Sequence, residues 1–413
     1  MDELLVVMND AVIGHLRRAD ALDVEFEYAH EWAGTPLSLS LPVGQNTYKH
    51  GVVSPYLWGL LPDNESVVRR WARDAETSAN DIMGLLAAVG HDVAGAVQFV
   101  RPDKLATVGR RRTTWLTNAE VGALVSEVSR DTAGWHGDVG GKRPGSWSLA
   151  GAQGKIALTY DAENGWGVPH GRAATTHILK PAIGGLTDHD LNEHLCLSVA
   201  AKLGLVAAES QVADFDGVRT LVVRRYDRSV GRLATRVHQE DMCQALEVHP
   251  ALKYQADGGP SALDIARLLG EASSAPTQDI HNFVSALIFN WAIMGTDAHA
   301  KNYSVLLDGA TVRLAPLYDL GTVLPYGDHP KKCRLAMKID GTYRPTDLTA
   351  LKWRRFACEI GVDDEWLVDT ARLMCGRIAD SFRDAAADLD RPGTGAIVDA
   401  VADWSTYCAA RFR

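Results

Sequence analysis

The hydrophobic pattern of this 413-residue chain changes from mostly strand-like to helical at about residue 240, and that change limits the folds open to it. Before about residue 225, apolar residues mostly alternate with polar ones; Val24, Phe26 and Tyr28, for example, are separated by glutamates. Such alternation is typical of strands with one buried face. Beyond about residue 240, apolar residues recur with a helical period, most clearly over 282–294, 365–388 and 397–412. A β-rich half followed by a helical half predicts an α+β protein.

Charge and cysteine usage argue against several classes of protein. The 42 basic and 52 acidic side chains give a net charge of −10, which disfavours a molecule that clamps nucleic acid by charge alone. None of the six cysteines lies at C-x-x-C spacing, so zinc-binding and thioredoxin-like chemistry is not indicated. The N-terminus lacks the basic start and long apolar core of a secretion signal, and no run is long enough to span a bilayer. We therefore expect a cytoplasmic protein with no membrane partner.

The first hundred residues or so predict a small α/β unit without an acid–base or metal-binding constellation. The predicted elements are strands at Leu4–Met8, Val12–Leu16, Val24–Tyr28, Leu37–Leu41 and Gly95–Val100, and helices at Glu65–Trp71 and Asp81–Val89, the latter capped by Asn80. The polar stretch Arg101–Arg112 is the first candidate linker, and its arginine run is expected to be a solvated surface.

A loop of small residues runs into the predicted strand Lys155–Tyr160. Its residues are Ser148, Leu149, Ala150, Gly151, Ala152, Gln153, Gly154 and Lys155. Small residues let backbone N–H groups approach phosphate oxygens closely. The loop lacks the Walker pattern, however, and a plain turn before a hairpin explains it equally well.

Lys180 and Glu193 form the second and third candidate elements. Lys180 closes the apolar strand His177–Leu179, as does the lysine that neutralises ATP phosphates in protein kinases. Glu193 lies on the predicted helix Leu191–Leu203, where it could pair with Lys180. Considered alone, Lys180 would ordinarily be interpreted as an exposed lysine at the end of a strand, and Glu193 as an acidic residue on a helix surface.

The stretch Gly295–Asn302 and the later Asp319 carry the strongest chemical signal. An Asp followed five positions later by an Asn, with a second Asp after a hairpin, is the spacing of a kinase catalytic loop and metal loop. Asp297 is the predicted general base, and Asn302 and Asp319 are the predicted Mg²⁺ ligands. Lys301 could stabilise charge on the transferred phosphoryl group. His299 has no second His or Cys at ligand spacing, so a structural role is favoured.

These motifs resemble those of the HipA-like serine/threonine kinases, the toxin component of bacterial toxin–antitoxin pairs. The resemblance extends over nearly the whole chain and rests on residues 36–42, 61–63, 148–155, 176–180, 226–228, 239–244, 253–254, 257–260, 297–302 and 318–319. The most specific strings are Gln239-Glu-Asp-Met-Cys-Gln244, Asp297-Ala-His-Ala-Lys-Asn302 and Tyr318-Asp319.

The resemblance implies a two-lobed protein-kinase-like fold with a β-rich N-terminal lobe, an extra N-terminal α/β subdomain and an all-helical C-terminal lobe. The expected domains are residues 1–105, 106–238 and 239–413. It also implies that ATP lies across Ala150–Lys155, Lys180, Arg224, Arg225, Tyr226, His299–Asn302 and Asp319, with Mg²⁺ on Asn302 and Asp319. Asp297 matches the family's catalytic base, and Ser148 matches a serine whose autophosphorylation switches the enzyme off.

The implied partners are a HipB-type helix-turn-helix antitoxin, operator DNA reached only through that antitoxin, and a protein substrate such as an aminoacyl-tRNA synthetase. Two alternative functions are compatible with the Asp-x-x-x-x-Asn loop or with a kinase fold. One is a small-molecule kinase of the aminoglycoside-phosphotransferase type, and the other is a non-catalytic kinase-fold corepressor.

Overall fold

The computed structural model describes residues 2–20, 22–44, 47–108, 111–130, 148–151, 153–183, 185–229, 234–327 and 329–412. The strands are β1 (Glu3–Met8), β2 (Ala11–Arg18), β3 (Val24–Tyr28), β4 (Thr47–Tyr48), β5 (Val97–Val100), β6 (Arg111–Trp115), β7 (Ile156–Asp161), β8 (Gly165–Gly171), β9 (His177–Pro181), β10 (Ser210–Phe215), β11 (Val218–Arg224), β12 (His238–Asp241), β13 (Ser304–Asp308) and β14 (Thr311–Leu314).

The helices begin and end as follows: α1 (His50–Gly59), α2 (Glu65–Asp74), α3 (Ile82–Val89), α4 (Leu105–Val108), α5 (Asn118–Arg130), α6 (His189–Lys202), α7 (Met242–Ala245), α8 (Ala262–Ala272), α9 (Pro276–Ile293), α10 (Ala350–Ile360), α11 (Asp364–Leu389) and α12 (Thr394–Ala410). Among the described helices, none combines the length and apolar character that crossing a bilayer requires.

The chain divides into two compact units. Unit 1 comprises residues 1–183, 213–251 and 306–311, and unit 2 comprises residues 184–212, 252–305 and 312–413. The predicted three-part division at residues 105 and 238 stays a prediction.

The first sheet of unit 1 has the order β4-β3-β2-β1-β5 and is antiparallel between β1, β2 and β3. Strand β3 buries alternate residues, as the predicted period of two requires, whereas β1 and β5 are buried along nearly their whole length. The predicted strand at 37–41 is wrong, because the backbone there makes only an isolated bridge between Ser38 and Leu41. The buried Tyr28 hydroxyl holds this segment instead: it donates to the Leu41 carbonyl and accepts the Leu37 N–H at 2.8 Å.

The second sheet of unit 1 has the order β10-β11-β9-β7-β8-β6. The predicted linker 101–112 is also wrong, because it contains α4 and the start of β6, which pairs antiparallel with β8. Arg111 and Arg112 are exposed on this edge strand, where charged side chains discourage pairing with another chain. One continuous buried core joins this sheet to the first, since Leu4 and Phe26 belong to the same cluster as Leu179.

Two aspartates and three arginines form a buried ionic cluster in unit 1: Asp92, Asp227, Arg225, Arg228 and Arg236. The Asp92 carboxylate accepts from Arg228 at 2.9 Å, from Arg236 at 3.0 Å and from the Thr175 hydroxyl at 2.6 Å. Burial alone would raise the pKa of Asp92, but the three guanidinium groups outweigh burial and lower it. Asp92 therefore joins the first hundred residues to the second sheet through charge as well as apolar packing.

Unit 2 is built around α9, which packs against α8, α11 and α12. The three long helices that the 3.6-residue period predicts are confirmed as α9, α11 and α12. The predicted hairpin is confirmed as β13 and β14, turned at Asp308-Gly309, where Gly309 has a φ of +57°.

Candidate active site

The predicted catalytic loop follows directly from the end of α9. Met294 caps that helix in the left-handed conformation, and the Gly295 N–H donates to the Asn290 carbonyl at 2.6 Å. A Cβ on Gly295 would lie 2.4 Å from the Asn290 side-chain oxygen, so only glycine fits there. The chain can then turn at once into Thr296 and Asp297.

Main-chain and side-chain hydrogen bonds close the catalytic loop on itself. The Asp297 carbonyl accepts both the His299 N–H, at 2.8 Å, and the Asn302 side-chain amide, at 2.7 Å. His299, Lys301 and Asn302 are buried, whereas Asp297 is exposed. The predicted base and one predicted metal ligand are thus fixed relative to each other, and the amide oxygen of Asn302 is left as its cation-binding atom.

Tyr254, which lies outside this loop, contacts the predicted base. Its hydroxyl donates to Oδ1 of Asp297, and its ring meets the His299 ring edge to face, with centroids 4.9 Å apart. The carbonyl of the preceding residue, Lys253, accepts the Ala300 N–H at 3.3 Å. Residues 253–254 therefore hold the Asp297 carboxylate as well as the loop that carries it.

Asp319 is brought beside the catalytic loop by the preceding residue. The Tyr318 hydroxyl donates to the Lys301 carbonyl at 2.6 Å and lies 2.6 Å from the Ser304 hydroxyl. Asp319 itself is exposed and has a φ of +55°, a strained conformation for a residue other than glycine. Unit 2 therefore unites the loops that bear Asp297, Asn302 and Asp319.

Helix α6, which carries Glu193, is anchored to the segment after Asp319. The side-chain amide of Asn192 donates to the Thr322 carbonyl at 2.7 Å, and its oxygen accepts the Thr322 N–H at 3.0 Å. Both Asn192 and Glu193 are buried. Movement of this helix would therefore be transmitted to the loop that presents Asp319.

The predicted phosphate loop belongs to unit 1, and its first residue is anchored there. Ser148 is fully buried; its hydroxyl donates to the Leu60 carbonyl at 2.8 Å and its N–H donates to the Asp92 carbonyl at 3.0 Å. Gly151 has a φ of +104°, which suits glycine. Of the predicted loop residues, Ala152 lies outside the described residues.

Lysine and glutamine side chains shape the rest of this loop. The Lys155 ammonium donates to the Ala150 carbonyl at 2.6 Å, and a Cβ on Gly151 would come within 2.7 Å of that ammonium. The side chain of Gln153 donates to the Pro181 carbonyl at 3.3 Å, next in the chain to Lys180. Within unit 1 the loop and the end of β9 are thus held side by side, and Lys180 is buried there.

The segment Arg224–Tyr226 follows β11 in unit 1. Arg224 ends that strand opposite His177, and the Tyr226 hydroxyl donates to the Gln239 side chain. The guanidinium of Arg225 is buried in the ionic cluster. The backbone N–H of Arg225 donates to the Thr176 carbonyl at 2.9 Å. This backbone N–H is therefore already engaged within unit 1.

The structure brings the predicted site residues together in two sets. Unit 1 holds Ser148, the described part of Ala150–Lys155, Lys180 and Arg224–Tyr226, and unit 2 holds Glu193, Asp297–Asn302 and Asp319. The predicted pairing of Lys180 with Glu193 joins residues of different units and stays a prediction.

Sequence reasoning assigned no role to Tyr254, Asn192 or Asp92. Tyr254 was recognised only within a family-like string, and its distance of 43 residues from Asp297 gave no local signal. Asn192 is a polar residue inside a helix, and its tie to Thr322 spans 130 residues. Such pairings become evident only from the folded chain.

Two family models match parts of this chain. Residues 4–100 match the family model of the HipA N-terminal domain, and residues 147–385 match that of the HipA-like C-terminal domain. The putative kinase Y4mE of Sinorhizobium fredii is 33% identical over 91% of this chain and 89% of that protein. The serine/threonine-protein kinase toxin HipA of Shewanella oneidensis is 26% identical over 90% of this chain and 86% of its own length.

A solved structure shows the same architecture. The complex of Shewanella oneidensis HipA with HipB and its operator DNA contains a chain that aligns with a TM-score of 0.83 at 26% identity, over 99% of this chain and 96% of that one. The agreement confirms the predicted two-lobed, kinase-like α+β fold. This chain belongs to the HipA family and is a serine/threonine kinase.

Proposed function

We propose that the chain is an ATP- and Mg²⁺-dependent protein serine/threonine kinase that acts as the toxin of a toxin–antitoxin pair in the cytoplasm. The observation that carries the proposal is the hydrogen-bonded closure of the catalytic loop, in which Asn302 donates to the Asp297 carbonyl at 2.7 Å. The Tyr318 contact to the Lys301 carbonyl adds Asp319 to the same group. Two carboxylates and an amide oxygen on adjoining loops are the donor set that a kinase metal site uses.

The described residues fit these ligands. Asn302 and Asp319 would hold Mg²⁺ through oxygen, the donor atom this hard cation prefers. Lys180 and the backbone of Ala150–Lys155 would hold the phosphates. The Lys155 ammonium lies against Gly151 in this loop and would add positive charge there. When bound, Mg²⁺-ATP supplies an electrophilic γ-phosphoryl group with part of its charge neutralised.

The residues of the chain would then act on the acceptor alcohol. Asp297 is exposed, so an incoming hydroxyl can reach it. Its carboxylate accepts the hydroxyl proton, which makes the oxygen a better nucleophile. Tyr254 donates to Oδ1 of that carboxylate, so Oδ2 is the oxygen proposed to take the proton. Lys301 contributes positive charge beside the developing transition state.

Ser148 is the proposed site of self-inactivation. Its hydroxyl is fully buried against the Leu60 carbonyl, so phosphorylation requires the loop to leave its place first. A phosphoserine could not return there, because its dianion would meet a carbonyl oxygen instead of a donor. Phosphorylation would thus keep the phosphate loop displaced and the kinase switched off.

A complex formed by a relative supports the proposed partners. The Shewanella oneidensis structure contains HipA, HipB and operator DNA. We propose that this chain likewise binds a HipB-type antitoxin and reaches DNA through it, consistent with its net charge of −10. A translation component such as an aminoacyl-tRNA synthetase is the proposed protein substrate.

The test compares Asp297→Asn with Asp308→Asn, a matched change at an exposed aspartate in the β13–β14 turn. The first variant is expected to lose transfer of radiolabelled γ-phosphate to protein by at least about a hundredfold, the scale of general-base catalysis. The second should behave as the wild type. Undiminished transfer by a folded Asp297→Asn variant refutes the mechanism, and transfer to aminoglycosides but not to proteins supports a small-molecule kinase instead.

A further inference from the structure

A cationic surface lies on unit 2 between residues 329 and 344. Its exposed basic residues are Lys331, Lys332, Lys338, Arg334 and Arg344. The acidic residue of this stretch, Asp340, is engaged by the Lys352 ammonium at 3.0 Å. Because the whole chain carries 52 acidic against 42 basic side chains, this excess of positive charge is local.

The cationic surface is a structured one. Cys333, Met337 and Ile339 are buried beneath it, and the Leu335 N–H donates to the Tyr343 carbonyl at 2.8 Å. Alternation of buried apolar residues with exposed basic ones keeps the charges on the solvent side.

The charges of this surface remain available to a ligand. The Arg334 guanidinium carbon lies 4.7 Å from the centre of the Tyr343 ring, and the Lys338 ammonium lies 5.1 Å from it. Such cation–π contacts orient the cations without neutralising them. None of the five basic side chains forms an ion pair with a carboxylate in the described part of the chain.

A chain of hydrogen bonds connects this surface to the catalytic base. The Lys338 N–H donates to the side-chain oxygen of Gln255 at 2.7 Å. Gln255 follows Tyr254, whose hydroxyl donates to Asp297. The cationic surface is therefore hydrogen-bonded to the residue next in the chain to Tyr254, which contacts the proposed base.

We propose that the cationic surface binds an acidic segment of the protein whose hydroxyl is phosphorylated. The inference rests on the proposed kinase function and adds the class of acceptor: a serine or threonine flanked by Asp and Glu. The exposed lysines of this surface, which is hydrogen-bonded to Gln255, would attract such a segment electrostatically, and a basic flank would be repelled. Antitoxin or DNA phosphates are the competing occupants, which the tie to Tyr254 and Asp297 disfavours.

The test uses two triple variants of the full chain. Lys331→Gln, Lys332→Gln and Lys338→Gln together remove three charges from the cationic surface. Arg267→Gln, Arg377→Gln and Arg383→Gln remove three from exposed positions on α8 and α11. Three serine peptides, with acidic, alanine or basic flanks, serve as substrates. For the binding measurements, the serine of the acidic peptide is replaced by alanine and this peptide is fluorescently labelled.

The cationic-surface variant should bind the labelled acidic peptide about tenfold more weakly than the wild type does. Added salt should weaken binding of this peptide to the wild type. The ratio of kcat/KM for the acidic and alanine-flanked peptides should fall by a similar factor, while the control variant matches the wild type. Equal binding by all proteins, an unchanged ratio, or loss of antitoxin or DNA binding alone overturns the inference. Selective binding by a wild type that transfers phosphate to no protein or peptide refutes the proposed function instead.

Discussion

Tyr254→Phe isolates the hydrogen bond that holds the proposed catalytic base, Asp297. The change deletes the hydroxyl that donates to Oδ1 of Asp297 but keeps the ring that packs on His299 with centroids 4.9 Å apart. A hydrogen bond to a charged group contributes about 1.5–3 kcal/mol. Tyr254 is half-buried and Asp297 exposed, so solvent screening reduces this to about 1 kcal/mol. Each 1.36 kcal/mol of barrier is about tenfold in rate, so kcat should fall about fivefold.

The assay is steady-state phosphate transfer to protein with ATP varied. The Michaelis constant for ATP should not change, because Tyr254 acts on the carboxylate and not on the nucleotide. Tyr254→Leu, which also removes the ring contact, should lower kcat further. Tyr343→Phe is the matched control, since its ring carries the cation–π contacts and its hydroxyl does not touch the base. An unchanged or increased kcat in Tyr254→Phe refutes the positioning role.

Three further predictions concern unit 1. Asp92→Asn leaves three buried guanidinium groups against one carboxylate and should destabilise unit 1 by about 3 kcal/mol, measured as a lower urea midpoint. Burial raises the pKa of Glu240 to about 8 from 4.5, so the folded protein retains a proton that the unfolded chain releases. Stability should therefore fall as the pH rises from about 4.5 to about 8, and Glu240→Gln should flatten that slope in unfolding curves. Ser148→Ala should retain activity after incubation with ATP, while the wild type loses it; equal loss in both excludes Ser148 as the switch.

The elements predicted correctly from sequence are those whose signal is local. Helices α9, α11 and α12 repeat their apolar positions over many turns, and Asp308-Gly309 fixes a hairpin by its own turn geometry. Helix α1 gave no such signal, because Pro55 and two valines disfavour a helix and burial of most of its residues conceals its period. Tertiary packing decides its structure.

Asp81 and not the predicted Asn80 caps α3. The wrong assignments at 37–41 and 101–112 share one physical origin. Residues 37–41 have the alternation of a strand, but their partners are the Tyr28 hydroxyl and the Glu240 carboxylate, so no ladder forms. Glu240 is 201 residues away from Leu39, whose N–H it accepts at 2.7 Å. In β6 the arginines suggest a linker, yet the backbone completes the edge of a sheet with β8. In both cases the prediction followed a local sequence pattern, whereas a partner far away in the sequence determines the structure.

The catalytic motif shows how far spacing alone can lead. The positions of Asp297, Asn302 and Asp319 in the sequence predict a shared chemistry, and unit 2 places their loops together through Asn302 and Tyr318. Spacing could not supply the contacts that hold these groups in one arrangement. Those contacts come from Tyr254 and Asn192, which lie far away in the sequence and belong to ordinary residue types.

No catalytic role is predicted for the first hundred residues, yet two of them, Leu60 and Asp92, form hydrogen bonds with the proposed switch residue, Ser148. The Ser148 hydroxyl donates to the Leu60 carbonyl and its N–H to the Asp92 carbonyl, and Asp92 is also the centre of the buried ionic cluster. Displacement of Ser148 therefore costs two hydrogen bonds within this unit but leaves the Asp92 carboxylate paired. Release of the loop can thus be local, while the ionic cluster keeps the two sheets of unit 1 together. The N-terminal residues would accordingly set how often Ser148 is exposed to phosphorylation without taking part in the chemistry.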